Sequence, residues 1–174
     1  MWKKFMWPAL AATVLLVAVV YGCRYIDWNT KRPPEELADV ALTGDTPEER
    51  QMAAAELTEY GEEAKTHMRD VLAQSDDVNV RGICINGLAN IYDYDSIEIM
   101  LAGLDDESPV IQGRCLVALR KLLGRSFHFD PSMSEDERKK RIAQIRAEWE
   151  SIRDSGLVDQ FKERMMRKQQ KQDE

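Results

Sequence analysis

Three stretches decide how this chain folds: Asp45-Thr46-Pro47-Glu48-Glu49-Arg50-Gln51-Met52-Ala53, Asp76-Asp77-Val78-Asn79-Val80-Arg81-Gly82-Ile83-Cys84 and Glu107-Ser108-Pro109-Val110-Ile111-Gln112-Gly113-Arg114-Cys115. They align without a gap at a constant offset of 31 residues. The same offset superposes Leu57, Leu88 and Leu119, then Arg50, Arg81 and Gln112, then Ala53, Cys84 and Cys115. Self-similarity at a fixed period of this length marks an array of stacked units, none of which can bury its apolar side alone.

Within each unit the apolar residues fall at helical spacing. Ile83, Cys84, Leu88 and Ile91 form one stripe; Cys115, Leu116, Leu119, Leu122 and Leu123 form the next. A shorter helix precedes each of these, carried by Leu37, Val40 and Ala41, by Met68, Val71 and Leu72, and by Ile97, Ile99, Met100 and Leu104. Thr43-Gly44-Asp45, Gln74-Ser75-Asp76-Asp77 and Asp105-Asp106-Glu107-Ser108-Pro109 supply the turns between them. Their Asp, Ser and Thr side chains are also good helix caps. Runs of β-branched residues with period two are scarce past the first 25 residues, so the expected class is all-α. The expected architecture is a short α-solenoid of about three helical pairs.

These units resemble HEAT repeats, above all the short bacterial kind of about 30 residues found in phycobilin-lyase-like proteins. The resemblance rests on an acidic turn, then Val80-Arg81, then the small Cys84, then Gly87-Leu88. The first unit has Glu49-Arg50 at the Val-Arg position and the third has Ile111-Gln112. The matching stretch spans 35–124. In that family a turn aspartate and a helix arginine commonly bond between neighbouring units. The resemblance therefore implies Asp45 with Arg50 and Asp76 with Arg81 as structural pairs. A fold of this kind says little about function by itself.

Cys84 and Cys115 hold equivalent places in adjacent units. Stacked helices lie about 8–10 Å apart, whereas a disulfide needs Cα atoms within about 7 Å. Two buried free thiols in the place of alanine are expected. With only His67 and His128 in the chain, no metal site is expected, and no cofactor.

Charge is uneven. The net charge is −7, divided as +4 over 1–34, −12 over 35–124 and +1 over 125–174. The acidic middle repels phosphate backbones, so nucleic acid is not an expected partner. A protein partner with basic patches suits it better.

At the N-terminus, Lys3 and Lys4 precede 19 uncharged residues, Phe5 to Cys23. As a helix they measure about 28 Å, close to the hydrocarbon thickness of about 30 Å. Trp2 and Trp7 flank one end, Tyr21, Tyr25 and Trp28 the other, as at the two interfaces of a bilayer. The leading expectation is a single transmembrane helix or uncleaved signal anchor, with the bulk of the chain on the exported side. Two alternatives stand beside it. Val20-Tyr21-Gly22-Cys23 resembles a lipobox, which makes Cys23 a lipidation site, although bulky Tyr21 departs from that pattern. An ordinary cleaved signal peptide lacks a clear small-x-small site. The division expected is thus an anchor and linker over 1–34, the stack over 35–124, and a capping helix with a charged tail over 125–174.

In that last part Phe127-His128-Phe129-Asp130-Pro131 reads as an aromatic turn, and Ser134 with Glu137 as a capping box. The helix that follows carries Ile142, Ile145, Trp149 and Ile152. It suits a cap over the open end of the stack; Trp149 as an anchor for a partner is the alternative. Residues 161–174 read as a fraying helix or a disordered tail.

Three functions follow. The first is a non-catalytic, membrane-tethered scaffold for protein interaction. The second is an enzyme on a HEAT-like fold, such as a chromophore lyase. The third is a purely structural envelope protein. No glycine-rich phosphate loop or nucleophile–base constellation is legible, which sets the enzyme behind the scaffold.

Overall fold

The computed structural model describes residues 31–130 and 132–170. From Pro34 onward the chain is one unit, and it is helical. Several helices start where the sequence supplies the chemistry for a start. Helix α1 is Pro34–Thr43 and α2 is Pro47–Thr58. Pro47 occupies the first turn of α2, where its missing N–H costs nothing, and the Thr46 side chain accepts from the Glu49 amide at 3.1 Å. Helix α3, Lys65–Gln74, follows a single 3-10 turn. Helix α4, Val78–Asn90, is capped by Asp77, whose carboxylate accepts from the Asn79 and Val80 amides. Helix α5, Ile97–Ala102, is one and a half turns long between two 3-10 turns; α6 is Pro109–Leu123.

The ends of the second helices also repeat. Gly61 and Tyr92, 31 residues apart, take φ of 56° each, and Gly124 closes α6 at 62°. Glycine makes this conformation cheap at two of the three; at Tyr92 it costs about 1–2 kcal/mol.

Packing follows the pairs. Helix α1 lies on α2, α3 on α4, and α5 on α6. The second helices α2, α4 and α6 stand side by side, and α1 lies beside α3. Leu57, Leu88 and Leu119 are all fully buried, or within rounding of it, in one continuous core. The first helices bury Leu37 and Ala41, Met68, Val71 and Leu72, then Ile97, Met100 and Leu104. Central α4 departs from a one-sided stripe. It is covered by α2, α3 and α6 and buries Val80, Gly82, Ile85 and Ala89 as well as Cys84 and Leu88, while Ile83 is only half-buried.

Helix α7, Glu135–Asp154, begins with the capping box formed by Ser134 and Glu137. It packs on α5 and the 3-10 turn after it. Phe127 and Phe129 are buried beneath this connection, with Arg120 donating to the Phe127 carbonyl and Arg141 to the His128 carbonyl. Gly156, at φ 73°, turns the chain into α8, Leu157–Gln170. The tail that reads as fraying or disordered is thus helical to Gln170.

No helix among the described residues is long and apolar enough to cross a membrane. The expected membrane segment, and Cys23 with it, lie outside the described residues.

Candidate functional site

Arg50 and Arg81 do bond between units, but with aspartates other than those expected. Arg81 grips Asp106 through both guanidinium nitrogens, at 2.6 and 3.1 Å. Arg50 reaches Asp77 at 3.8 Å while its other nitrogen donates to the Gly44 carbonyl at 2.8 Å. Each arginine therefore points forward, into the turn of the unit after its own. Asp45 and Asp76, the partners expected from the resemblance, are exposed. Asp76 makes no hydrogen bond to Arg81, but its charge adds to those that raise the guanidinium.

Burial raises the Asp106 carboxylate, but the hydrogen bonds from Arg81 and from the Ser108 amide outweigh it and hold the group below its ordinary value. Asp77 is likewise held low: burial opposes, while the amides of Asn79 and Val80, then Gln51 and Arg50, prevail. The hydrogen bonds that Arg81 donates to Asp106 raise the guanidinium in turn, against the opposing effect of burial.

Gln112 stands where the third arginine would be. It is buried, and its amide donates to the Asp106 carbonyl at 2.6 Å. Gly44 precedes Arg50 by six residues and Asp106 precedes Gln112 by six, so this is the same inward bond that Arg50 makes, without the forward reach.

The outer face of α2, α4 and α6 is open. Met52 is 69% exposed, Val110 51% and Val117 61%, high values for such side chains. This face follows the period in four rows: Glu48, Asn79, Val110; Met52, Ile83, Arg114; Ala55, Asn86, Val117; Glu59, Asn90, Lys121. Neighbouring second helices thus present equivalent positions side by side, as in a solenoid whose inner helices form a binding surface. A family model described as HEAT repeats matches residues 34–120, half of the chain. The chain belongs to the HEAT-repeat family. Neither the curated proteins nor the solved structures contain a match to it.

Within this HEAT stack Cys84 and Cys115 are buried and free. Burial pushes each thiol up to about 12, which leaves almost no thiolate at neutral pH. The reason cysteine suits Cys115 is visible: a Cβ added at Gly103 would lie 2.5 Å from its sulfur. Gly103 is what lets α6 approach the end of α5 so closely.

Trp149 is 5% exposed and packed in the chain's own core with Ile142 and Ile145. An anchor must present its ring to the partner, and this ring is covered by the chain's own core.

Sequence reasoning missed one buried ion pair. Arg69 of α3 bonds both carboxylate oxygens of buried Asp93, one of them at 2.7 Å, and also Asp95 at 3.1 Å. Lys162 of α8 reaches the same Asp95 at 3.4 Å. The positions 31 residues before and after Arg69 are Ala38 and Met100, so no periodicity advertises it. The signal the sequence does carry is a basic residue, Arg69, set between Met68 and Val71 of the buried stripe.

Proposed function

We propose that this HEAT-repeat chain is a non-catalytic interaction scaffold held at a membrane by its N-terminal segment. HEAT repeats are commonly protein-interaction scaffolds. The observation that carries the reading is the open face of α2, α4 and α6, which leaves Met52, Val110 and Val117 in water although the stack has a core to put apolar side chains in. Tethering follows from the apolar stretch Phe5 to Cys23, which supports a bulk of the chain on the exported side, through a membrane helix or through lipid on Cys23. A membrane-held face meets other membrane-held proteins at raised effective concentration.

The acidic side chains give the partner its character. Glu35, Glu36 and Asp39 of α1, Glu62 and Glu63 before α3, and Asp70 of α3 are all exposed. This flank of first helices suits a protein with basic patches and opposes nucleic acid. The short unit keeps its likeness to phycobilin-lyase-like HEAT repeats, which we take as a likeness of fold and not of chemistry.

The test is crosslinking in native membranes, comparing the full-length chain with its Met52→Glu/Val117→Glu variant. The scaffold reading expects specific products that disappear in the variant. Identical products from both chains would remove this face from any role in association. Protease treatment of intact spheroplasts checks the side: digestion of the HEAT stack is expected, and its full protection would place it in the cytoplasm.

A further inference from the structure

The open face changes character from one helix to the next. On α2 it shows two acids, Glu48 and Glu59, around Met52 and Ala55. On α6 it shows two bases, Arg114 and Lys121, beside Val110 and Val117. On α4 between them it shows Asn79, Asn86 and Asn90 around Ile83, with no charge at all. Among the described residues neither Glu48, Glu59 nor Arg114 makes an ion pair. Arg114 lies across Gly82, where its side chain occupies the space that a Cβ would take. Lys121 is held by the Asn90 side chain at 2.7 Å and by the Tyr92 ring at 5.3 Å.

We propose that this face pairs with the same face of a second copy of the chain. The occupant follows from symmetry. A two-fold axis lying along α4, in the plane between two copies, sets α2 of each over α6 of the other and keeps the rows in step. Glu59 then meets Lys121, Ala55 meets Val117, and Met52 and Glu48 meet Arg114 and Val110. The residues of α4 meet their own copies on the axis. A charged residue there would face itself at close range, whereas an asparagine carries both donor and acceptor and can bond to another asparagine. Three asparagines and one isoleucine are what such an axis tolerates. The reverse arrangement, with α2 over α2, sets acids against acids and is disfavoured.

The area argues for a modest affinity. Three helices about 20 Å long at about 10 Å spacing offer on the order of 600 Å², below the about 800 Å² per partner of a standard interface. Pairing of this strength is concentration-dependent in solution and favoured when both copies share a membrane. It leaves the acidic flank of first helices free for another protein.

The inference rests on the scaffold reading through the shared face, and the two separate experimentally. The mass of the detergent-solubilised full-length chain is measured by sedimentation across the micromolar range, for four chains. Wild type is expected to dimerise. Arg114→Glu/Lys121→Glu makes the face acidic at both ends, and Glu48→Lys/Glu59→Lys makes it basic at both ends; each alone is expected to be monomeric. Mixed in equal amounts the two are complementary at both ends, and the dimer is expected to return, which also shows that both are folded. Asn86→Asp, a surface change on the axis, is expected to weaken wild-type pairing on the order of tenfold. A wild-type monomer overturns the inference, even if the chain still captures a membrane partner and the scaffold reading stands. A dimer indifferent to both reversals overturns it too, as does a mixture of the two reversed chains that stays monomeric.

Discussion

The seam between the second and third HEAT units and the seam between the third unit and α7 are held by cations pointing opposite ways. At the first, Arg81 belongs to the earlier unit and reaches forward into the next turn, to Asp106. At the second, the cations belong to the cap and reach back: Arg138 to Asp105 at 2.9 Å and Arg146 to Glu98 at 3.5 Å. A unit can carry a forward arginine only if another unit follows. The third has none to follow it, and glutamine replaces arginine at its Gln112. The repeat seams are therefore written into the repeat, whereas the cap seam is written into the cap.

The largest test of that division removes a fully buried side chain on each side of it. Leu88→Ala, inside the stack, is expected to cost about 3 kcal/mol, or about 10 °C in Tm, with all helices melting together. Ile145→Ala removes an equally buried side chain from α7. Hydrogen exchange is expected to show α7 losing protection while α4 keeps its own. Uniform loss across both helices would mean that the cap and the stack are one cooperative unit.

Next in size are the cations themselves. The Arg81 and Asp106 side chains are 21% and 16% exposed, and the pair is bidentate. Arg81→Ala leaves that carboxylate half-desolvated without its partner, at about 2 kcal/mol. Arg138→Ala removes a partner from an exposed aspartate and is expected to cost under about 1 kcal/mol. Equal losses in thermal melts would erase the distinction between the seams.

Acid gives a smaller, graded version. Asp106 is held below its ordinary value in the folded chain. Its contribution is therefore full above the unfolded value of about 4 and is lost as pH falls through the lower folded value. The raised Arg81 titrates far above this window and takes no part in it. In urea unfolding, the gap between wild type and Arg81→Ala is expected to narrow between about pH 7 and about pH 2. A gap that stays constant would mean that Arg81 acts by packing and not by charge.

Much of the stack is legible in the amino-acid order alone. The 31-residue offset places Leu57, Leu88 and Leu119 in one core because a buried position in a repeat must recur. The same offset misleads on the arginines. Their partners, Asp77 and Asp106, are 29 residues apart and occupy different places in their turns, so alignment alone selects the wrong aspartates. The rows of the open face are in the alignment too, but only burial shows which of the aligned positions face water. Arg69 with Asp93 is out of its reach, because neither residue recurs.

The smallest effect isolates the comparison at one aligned position. Gly82 and Gly113 are equivalent, and both lie inside helices, where alanine is favoured over glycine by about 0.8–1 kcal/mol. A Cβ on Gly82 would meet Arg114 of the following unit at 2.6 Å. Gly113 has no following unit, and a Cβ there meets nothing within 4 Å. Gly113→Ala is accordingly expected to stabilise by about 0.5–1 kcal/mol. Gly82→Ala must push the flexible end of Arg114 aside, which offsets most of the same gain. Urea midpoints for the two single variants measure the difference directly. If Gly113→Ala destabilises instead, something packs on that side of α6, the third unit is not the last of its kind, and the contrast between a forward seam and a capped end fails with it.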